Sequence, residues 1–195
     1  YEYKEYDYNT LNISDKWILT KLNNVIKNVR KHMEVYEFNV VGSELYSFIW
    51  NDFCDWYIEL SKINMNDTTK SVLIKVLSSI LKMLHPFMPC VTEEIYLQLP
   101  GHDETIMLSK YPKYNANEIF EKNLDEIINL IKKIRTLKLE NNIGNDYKLV
   151  FNSSIPKEIS IVSKMLKIDD ENILKNFENK NFENIKINFN NEIIN

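Results

Sequence analysis

The stretch that decides the fold is Tyr46-Ser-Phe-Ile-Trp-Asn-Asp-Phe-Cys-Asp-Trp-Tyr-Ile-Glu-Leu60, which holds two of the three tryptophans in a chain of 195 residues. Its large apolar residues recur three or four positions apart, the spacing of one face of an α-helix. So much aromatic surface on one face has to be buried against other elements. The sequence therefore predicts that this helix forms the centre of the core. The predicted face consists of Leu45, Phe48, Ile49, Asp52, Phe53, Trp56, Tyr57 and Leu60.

One carboxylate, Asp52, falls inside this otherwise apolar face. A buried carboxylate needs a hydrogen-bonded or charged partner, for which Arg30, Trp17 or a backbone group are the candidates. Its place in the core-facing stripe favours a structural role over a catalytic one. His85, next to Pro86, is similarly interpreted as a hydrogen-bonding group at a helix end rather than as a base.

The composition favours a helical protein. Hydrophobic residues make up 44% of the chain, and the 3 glycines and 5 prolines are too few for the turns of a β-sandwich. No run of 18 apolar residues is present, so no membrane span is predicted. The net charge of −4 neither indicates nor excludes binding to nucleic acid.

The two cysteines, Cys54 and Cys90, share no short spacing with each other or with a histidine. Zinc sites gather three or four ligands at short spacings, so no metal site is predicted. Reduced, buried thiols in a cytosolic setting are the expectation.

Apolar residues at helical spacing predict five amphipathic helices after an irregular lead-in over residues 1–13. Ser14 or Asp15 is the predicted cap of the first helix, whose apolar face ends at Tyr36. The third helix stops at His85-Pro86, because proline disfavours helical geometry in the residue before it. Pro89 opens the fourth helix, and Ile106-Met-Leu108 is predicted to pack as an apolar plug. The five helices are expected at about 15–36, 39–63, 69–84, 89–99 and 117–141.

The pattern changes after residue 141. Alternating apolar residues predict strands at Tyr147–Phe151 and Ile185–Phe189, and a return strand from Glu192 after a turn at Asn190-Asn191. A helix from Pro156 to Leu166 and a short strand within 169–174 lie between them. The predicted fold is mainly α: an antiparallel helix bundle over 1–141, followed by a small α/β unit over 142–195 whose last strand is cut short.

Four blocks of sequence resemble the valyl-tRNA synthetase family, in the order and at the spacing of its C-terminal, anticodon-binding helical region. Two positions depart from the family wording: Asp52 stands where the family often has Glu, and Cys90 where it often has Phe. The blocks are Asp15-Lys-Trp-Ile-Leu-Thr-Lys-Leu22, Tyr36-Glu-Phe-Asn39, Trp50-Asn-Asp-Phe-Cys-Asp-Trp-Tyr-Ile-Glu59 and His85-Pro-Phe-Met-Pro-Cys-Val-Thr-Glu-Glu-Ile95.

The resemblance implies the bundle of class I synthetases and recognition of valine tRNA, chiefly at its anticodon. Such enzymes attach valine to tRNA with ATP and Mg²⁺, but the chain lacks the His-Ile-Gly-His-like and Lys-Met-Ser-Lys-Ser-like motifs of the family's ATP site. The chain alone is therefore predicted to be non-catalytic and without a cofactor. Its expected partners are valine tRNA and an upstream catalytic domain, in a cytoplasmic monomer that does not meet a membrane. Two alternatives stay open: the same role in an isoleucyl or leucyl enzyme, and a helical interaction module with no RNA role.

The predicted RNA-binding residues lie on the first helix and on the turn after it. Unpaired bases are read by stacking on aromatic rings and by hydrogen bonds to their edges, while Lys and Arg hold phosphates. The alternative is a solvated helix face, with Phe38 packing as a staple and Asn39 only capping the second helix. The candidates are Lys21, Asn24, Lys27, Arg30, Lys31, Phe38 and Asn39.

A second basic run consists of Lys132, Lys133, Arg135 and Lys138. It is either a solvated helix face or a surface that attracts tRNA without regard to sequence.

Overall fold

A computed structural model describes residues 6–120, 124–142, 148–151, 158–169, 172–175, 185–189 and 192–194. Contacts within the chain separate two compact units, Tyr1–Asn123 and Leu124–Asn195. The helix Asp125–Glu140 belongs to the second unit. Its periodicity, by contrast, predicts that it belongs to the bundle. The predicted boundary after residue 141 therefore differs from the division seen in the contacts.

The first unit is a helical bundle, which confirms the predicted fold class. Its helices are α1 (Ile13–Glu34), α2 (Phe38–Ser47), a π-helical segment (Phe48–Tyr57), α3 (Ile58–Ile63), α4 (Asp67–Leu84) and α5 (Pro89–Tyr96). Short 3-10 turns lie at Tyr8–Thr10, Ile106–Leu108 and Ala116–Glu118. Within the described residues, no helix combines the length and the apolar character needed to cross a bilayer.

The cap of α1 differs from the prediction. Asn12, not Ser14 or Asp15, is the N-cap, and its side chain accepts a hydrogen bond of 2.8 Å from the Asp15 N–H. The Asp15 carboxylate accepts in return from the Asn12 N–H, which completes a capping box. Asp15 therefore lies in the first turn of α1, where its side chain is fully buried.

The predicted second helix is continuous from residue 38 to residue 63, but its middle is π-helical. The buried positions Phe48 and Phe53 are five residues apart, because a π-turn holds more residues than an α-turn. The wider turn leaves Ile49 and Asp52 half-buried at the flank of the face. The prediction that Asp52 lies inside the buried stripe is therefore wrong.

The long α1 packs against α2, the π-helical segment and α4. Its buried face follows the predicted spacing through Ile18, Leu22, Ile26 and Val29. The face ends earlier than predicted, since α1 stops at Glu34 and the Tyr36 side chain is 80% exposed.

A satellite cluster forms where α5 meets the chain after it. Leu81, Tyr96 and Ile106 are buried together, with Leu77 and Leu99 against them. The predicted apolar plug is wrong for Met107 and Leu108, which are 77% and 73% exposed. A 3-10 turn has three residues per turn, so consecutive side chains point in different directions and Ile106 alone of the three is buried. Among the cysteines, Cys54 is half-buried and Cys90 is exposed, so the expectation of two buried thiols is wrong for Cys90.

The second unit contains α6 (Asp125–Glu140), β1 (Lys148–Phe151), α7 (Ile159–Leu166), β2 (Ile173–Lys175), β3 (Ile185–Phe189) and β4 (Glu192–Ile194). The sheet order is β2-β1-β3-β4, with β1 parallel to β2 and the other pairs antiparallel. Leu149 aligns with Ile173 on one side of β1 and with Ile187 on the other. The strands coincide closely with the predicted ones, whereas Tyr147, Pro156 and the turn at 190–191 lie outside the described residues.

Candidate nucleic-acid interface

The turn between α1 and α2 projects an aromatic ring into solvent. Tyr36 has a φ of 59°, in the left-handed region that bulky residues rarely occupy. Two hydrogen bonds close the turn, from the Glu37 N–H to the His32 carbonyl (2.9 Å) and from the Tyr36 N–H to the Met33 carbonyl (3.2 Å). The His32 Nδ1 also lies 2.6 Å from Glu37 Oε2. The turn is therefore fixed by its own contacts, although the left-handed residue costs about 1–2 kcal/mol.

Three aromatic residues form a cluster at this end of the bundle: Tyr36, Phe38 and Phe87. The Phe38 ring contacts Tyr36 at a centroid distance of 6.0 Å and Phe87 at 6.2 Å, both edge to face. The three side chains are 80%, 47% and 42% exposed. Met88, beside Phe87, is 48% exposed. Exposed apolar groups gathered in one place are typical of an interaction surface. We call Tyr36, Phe38 and Phe87 the aromatic cluster.

The end of α4 positions Phe87 against Phe38. The Phe87 N–H donates to the Leu84 carbonyl at 2.9 Å, which turns the chain after the helix. His85 Nδ1 lies 2.7 Å from the hydroxyl of Thr92 on α5, so His85 links the two helices. This contact agrees with the predicted role of His85 as a helix-end hydrogen-bonding group.

The predicted RNA-binding residues of α1 lie on and beside its exposed face. Asn24, Lys27 and Lys31 are exposed and three, four or seven residues apart, so they share one face. The Lys27 amine is 5.7 Å from the centre of the Tyr114 ring. Arg30 is also exposed, and its Nη1 donates to the Pro112 carbonyl at 3.4 Å.

Lys21 is set apart from the others. It is half-buried, with its amine 5.6 Å from the centre of the Trp17 ring. At 1.5 Å per residue it lies about 15 Å along α1 from Lys31. The structure therefore places Lys31, not Lys21, at the end of α1 that leads into the aromatic cluster.

The remaining two candidates, Phe38 and Asn39, begin α2. Asn39 is not the helix cap, because α2 starts at Phe38 with Glu37 in the N-cap position. The alternative that Asn39 only caps the helix is therefore wrong, and its side chain is exposed. Phe38 packs partly, as the staple interpretation expects, but it packs against Tyr36 and Phe87 and stays half-exposed.

Two members of the aromatic cluster, Tyr36 and Phe87, were not among the individual candidates, although Tyr36 lies in the turn that was predicted to meet the RNA. Tyr36 matched the apolar spacing of α1, and Phe87 lay in a block used only to recognise a resemblance.

The other half of α1 contains a buried carboxylate, Asp15, with a complete set of partners. The Tyr57 hydroxyl donates to Asp15 Oδ1 at 2.7 Å, and the Thr69 hydroxyl donates to Oδ2 at 3.0 Å. Burial raises the pKa of Asp15, while these hydrogen bonds and the one from the Asn12 N–H act in the opposite direction. Asp15 joins α1, α4 and the π-helical segment, so its role is structural.

A second buried carboxylate, Glu118, is 1% exposed and pairs with the Lys75 amine of α4. Asn23 Nδ2 donates to Glu118 Oε2 at 3.0 Å, and the Tyr8 hydroxyl donates to Oε1 at 3.2 Å. Burial would raise the pKa of Glu118, but the hydrogen bond and charge of Lys75 hold it below its ordinary value. Among the described residues, no group of three or more His, Cys, Asp or Glu side chains is placed to hold a metal ion.

Comparison with known protein families shows to which family the chain belongs. The sequence profile of the family described as "Anticodon-binding domain of tRNA ligase" matches residues 15–153, which include the aromatic cluster and the exposed face of α1. The chain belongs to this anticodon-binding family.

Relatives within the family carry the name valine–tRNA ligase. The protein from Pseudothermotoga lettingae is 42% identical over 168 residues, which cover 81% of this chain and 20% of that protein. The protein from Staphylococcus saprophyticus is 46% identical over 140 residues, which cover 67% of this chain and 16% of that protein. The chain thus spans about a fifth or less of the length of these relatives, and the predicted resemblance is confirmed.

Proposed function

We propose that the chain binds the anticodon loop of valine tRNA at the aromatic cluster and the adjoining exposed face of α1. The observation that carries the proposal is a group of three exposed aromatic rings just beyond the end of α1, whose last turn holds the exposed Lys31. The names of the relatives support valine tRNA as the particular tRNA.

The chemistry of an anticodon loop fits this surface. Its unpaired bases offer flat faces, and a base stacked on an aromatic side chain contributes about 1–3 kcal/mol. Phe38 lies at the centre of the cluster and contacts both other rings, so it is the proposed stacking platform. The Asn39 amide, one residue further on, has the donors and the acceptor needed to bond a base edge.

The positively charged residues of α1 are proposed to bind the phosphates of the RNA. Lys27 and Lys31 are exposed on one face, one helical turn apart. Contacts to phosphates position an RNA without reading its sequence, and they weaken as the salt concentration rises. Arg30 contributes to the same field from the flank of this face.

The strained backbone at Tyr36 is part of the proposal. Strain in a left-handed residue persists when the surrounding structure enforces it, and such residues concentrate at binding sites. Here the turn points the Tyr36 ring to solvent beside Phe38. A glycine at this position would fit the turn better but would remove the ring.

Catalysis is proposed to lie in a longer protein. We infer that this chain recognises tRNA for an enzyme that attaches valine with ATP and Mg²⁺, in the cytoplasm and as a monomer. In this view the catalytic domain is a partner within the same protein.

Binding of tRNA transcripts tests the proposal. The chain should bind valine tRNA more tightly than the same tRNA with a changed anticodon, at several salt concentrations. Transcripts of isoleucine and leucine tRNA test the closest alternatives, and tighter binding of either would replace valine as the specificity. Binding that ignores the anticodon would contradict base reading. No binding to any tRNA at low salt would favour the interaction module without an RNA role.

A further inference from the structure

A cleft in the second unit, remote in sequence from the aromatic cluster, has the lining of a nucleotide site. It lies between the C-terminal half of α6 and the C-terminal end of α7 and has a volume of about 380 Å³. This volume falls in the range of about 300–1,000 Å³ found for small-molecule sites. Its lining residues are Arg135, Lys138, Leu139, Met165, Leu166 and Lys167, three of them basic and three apolar.

A contact with α7 positions Arg135 in this α6–α7 cleft. Arg135 Nη2 donates to the Met165 carbonyl at 3.4 Å, so its guanidinium is directed to the end of α7. Burial lowers the pKa of Lys138, because a half-buried amine loses hydration of its charged form.

Lys167 adds the third cation from an unfavourable backbone conformation. It ends α7 with φ 55° and ψ 48°, and the following Ile168 N–H donates to the Ser163 carbonyl at 3.0 Å. Glycine or asparagine is the usual residue at such a helix end, because a side chain is strained there. Glycine would fit this backbone with less strain, and the lysine adds a positive charge to the cleft.

The apolar side of the cleft is open to solvent. Leu139 is 78% exposed, although it belongs to a helix whose other leucine and isoleucine residues are mostly buried. Phosphate alone would be held by the cations without an apolar surface. A nucleobase, by contrast, has a flat face that packs on apolar side chains, and this face is accessible when the base is unpaired.

We propose that the α6–α7 cleft binds one unpaired nucleotide of an RNA, with its phosphate against Arg135, Lys138 and Lys167 and its base against Leu139 and Met165. The arginine fork and the lysine amines match phosphate oxygens. The inference rests on the proposed tRNA-binding function, since the RNA is the same molecule, and it adds a second contact site to it.

The same helix provides a matched control. Lys132 and Lys133 line a different groove on α6, together with Asn129, Thr136 and Leu137. Lys133 is five residues from Lys138, which separates the two side chains by about 140° around the helix. The basic run that looked like one stripe in the sequence therefore divides between two surfaces. Lys133→Gln and Lys138→Gln remove the same charge from the same helix but only the second alters the cleft.

The experiment measures binding of the 195-residue chain and both variants to valine tRNA, to a short single-stranded RNA and to the same RNA as a duplex. We expect Lys138→Gln to weaken binding of the tRNA and the single strand at least fivefold more than Lys133→Gln does, with a smaller difference on the duplex. Equal losses in the two variants would overturn the proposal in favour of diffuse attraction. If the two variants differed more in binding the duplex than in binding the single strand, the proposal that the cleft holds an unpaired nucleotide would be overturned.

Lys167→Gly separates binding from folding. We expect this variant to unfold at a higher temperature, because glycine relieves the left-handed strain, and to bind the single strand several-fold more weakly. Unchanged RNA binding would remove Lys167 from the site.

Failure of this inference can be told from failure of the proposed function. If Phe38→Ala weakens tRNA binding while Lys138→Gln and Lys133→Gln behave alike, the α6–α7 cleft alone is refuted. If Lys138→Gln weakens binding and Phe38→Ala does not, the anticodon site is refuted and the cleft stands. If no RNA binds at low salt, both are refuted.

Discussion

The two ends of α1 use polar and aromatic residues in opposite ways. At the N-terminal end, Asp15 is buried, and its carboxylate receives hydrogen bonds from Tyr57 and Thr69. At the C-terminal end, Lys31 and the Phe38 ring just beyond the turn stand in solvent, and Tyr36 adopts a strained backbone. Residue type alone therefore does not determine whether a side chain stabilises the fold or binds a ligand. A buried group whose partners all lie within the fold stabilises the fold, whereas an exposed group held at an energetic cost is available to a ligand.

Because one end of α1 is buried and the other is exposed, folding and RNA binding should respond to different substitutions. Changes near Asp15 and Glu118 should lower the free energy of unfolding and leave the anticodon preference intact. Changes in the aromatic cluster should weaken RNA binding and leave stability nearly unchanged. Each variant is therefore measured by both unfolding and tRNA binding.

The largest effect is expected from Glu118→Gln. This substitution breaks the buried pair with Lys75, and loss of one partner of such a pair costs about 3–5 kcal/mol. We expect about 3 kcal/mol, the lower end, because the Lys75 side chain is 30% exposed. Urea unfolding at neutral pH measures the loss, and tRNA binding by the folded variant should be unchanged.

The pH dependence of this loss tests its cause. The pKa of Glu118 in the folded protein lies below its ordinary value of 4.5. Its stabilising contribution is therefore complete above that ordinary value and is lost as the pH falls through the folded-state pKa. The stability gap between wild type and variant should narrow in acid, and a gap that does not change with pH would refute the ion-pair explanation. Glu94→Gln, at an exposed position on α5, should change stability by less than about 0.5 kcal/mol.

Phe38→Ala tests the exposed end of α1, where the expected loss is in RNA binding and not in stability. Loss of a stacking ring should weaken binding of valine tRNA by about 1–3 kcal/mol, which raises the dissociation constant about 5- to 150-fold. Since Phe38 is 47% exposed, the free energy of unfolding should fall by less than about 1 kcal/mol. Tyr46→Ala is the control, because Tyr46 is a 66% exposed aromatic residue of the same helix outside the cluster. Equal binding losses in both variants would mean that any exposed ring on α2 serves.

Tyr57→Phe tests the buried end of α1 by removing one oxygen atom. Asp15 would keep the hydrogen bonds from Thr69 and Asn12 but lose the one from Tyr57. A buried acceptor that loses a donor costs about 1–3 kcal/mol, and we expect about 1.5 kcal/mol of destabilisation in thermal or urea unfolding. A variant as stable as wild type would show that the hydroxyl is not needed to satisfy Asp15.

Tyr36→Gly is expected to have the smallest effect on stability and the opposite sign. Relief of left-handed strain gains about 1–2 kcal/mol, and the entropy of glycine in the unfolded chain cancels about 0.5–1 kcal/mol of it. Stability should therefore stay the same or rise by up to about 1.5 kcal/mol, while tRNA binding weakens. A less stable variant with unchanged binding would mean that the ring supports the fold.

Periodicity predicted the elements of this fold well and their interruptions poorly. The buried positions of α1 follow from a period of 3.6 residues, so the sequence located them. The π-helical segment adds a residue to a turn between Phe48 and Phe53, and no feature of the local pattern marks that change. It moved Asp52 out of the core face to which a regular helix would assign it.

The contacts made along α1 and just beyond its C-terminal end join residues far apart in the chain. Glu118 meets Asn23 across 95 positions, and Phe38 meets Phe87 across the whole of α2 to α4. A single sequence contains no record of such pairings. It could therefore name Phe38 and Lys31 as candidates from residue type and resemblance, but it could not find Tyr36 and Phe87 beside them or the buried role of Glu118.

Phe38 is proposed to stack on a base of the anticodon, and a double-mutant cycle tests this stacking. Binding of wild type and Phe38→Ala is measured with valine tRNA and with three synthetic versions of it. Each version has an abasic nucleotide at one anticodon position. If Phe38 stacks on one of these bases, removal of that base should weaken binding by wild type but have much less effect on Phe38→Ala, with a coupling of at least about 1 kcal/mol. Additive losses at all three positions would contradict stacking of Phe38 on an anticodon base.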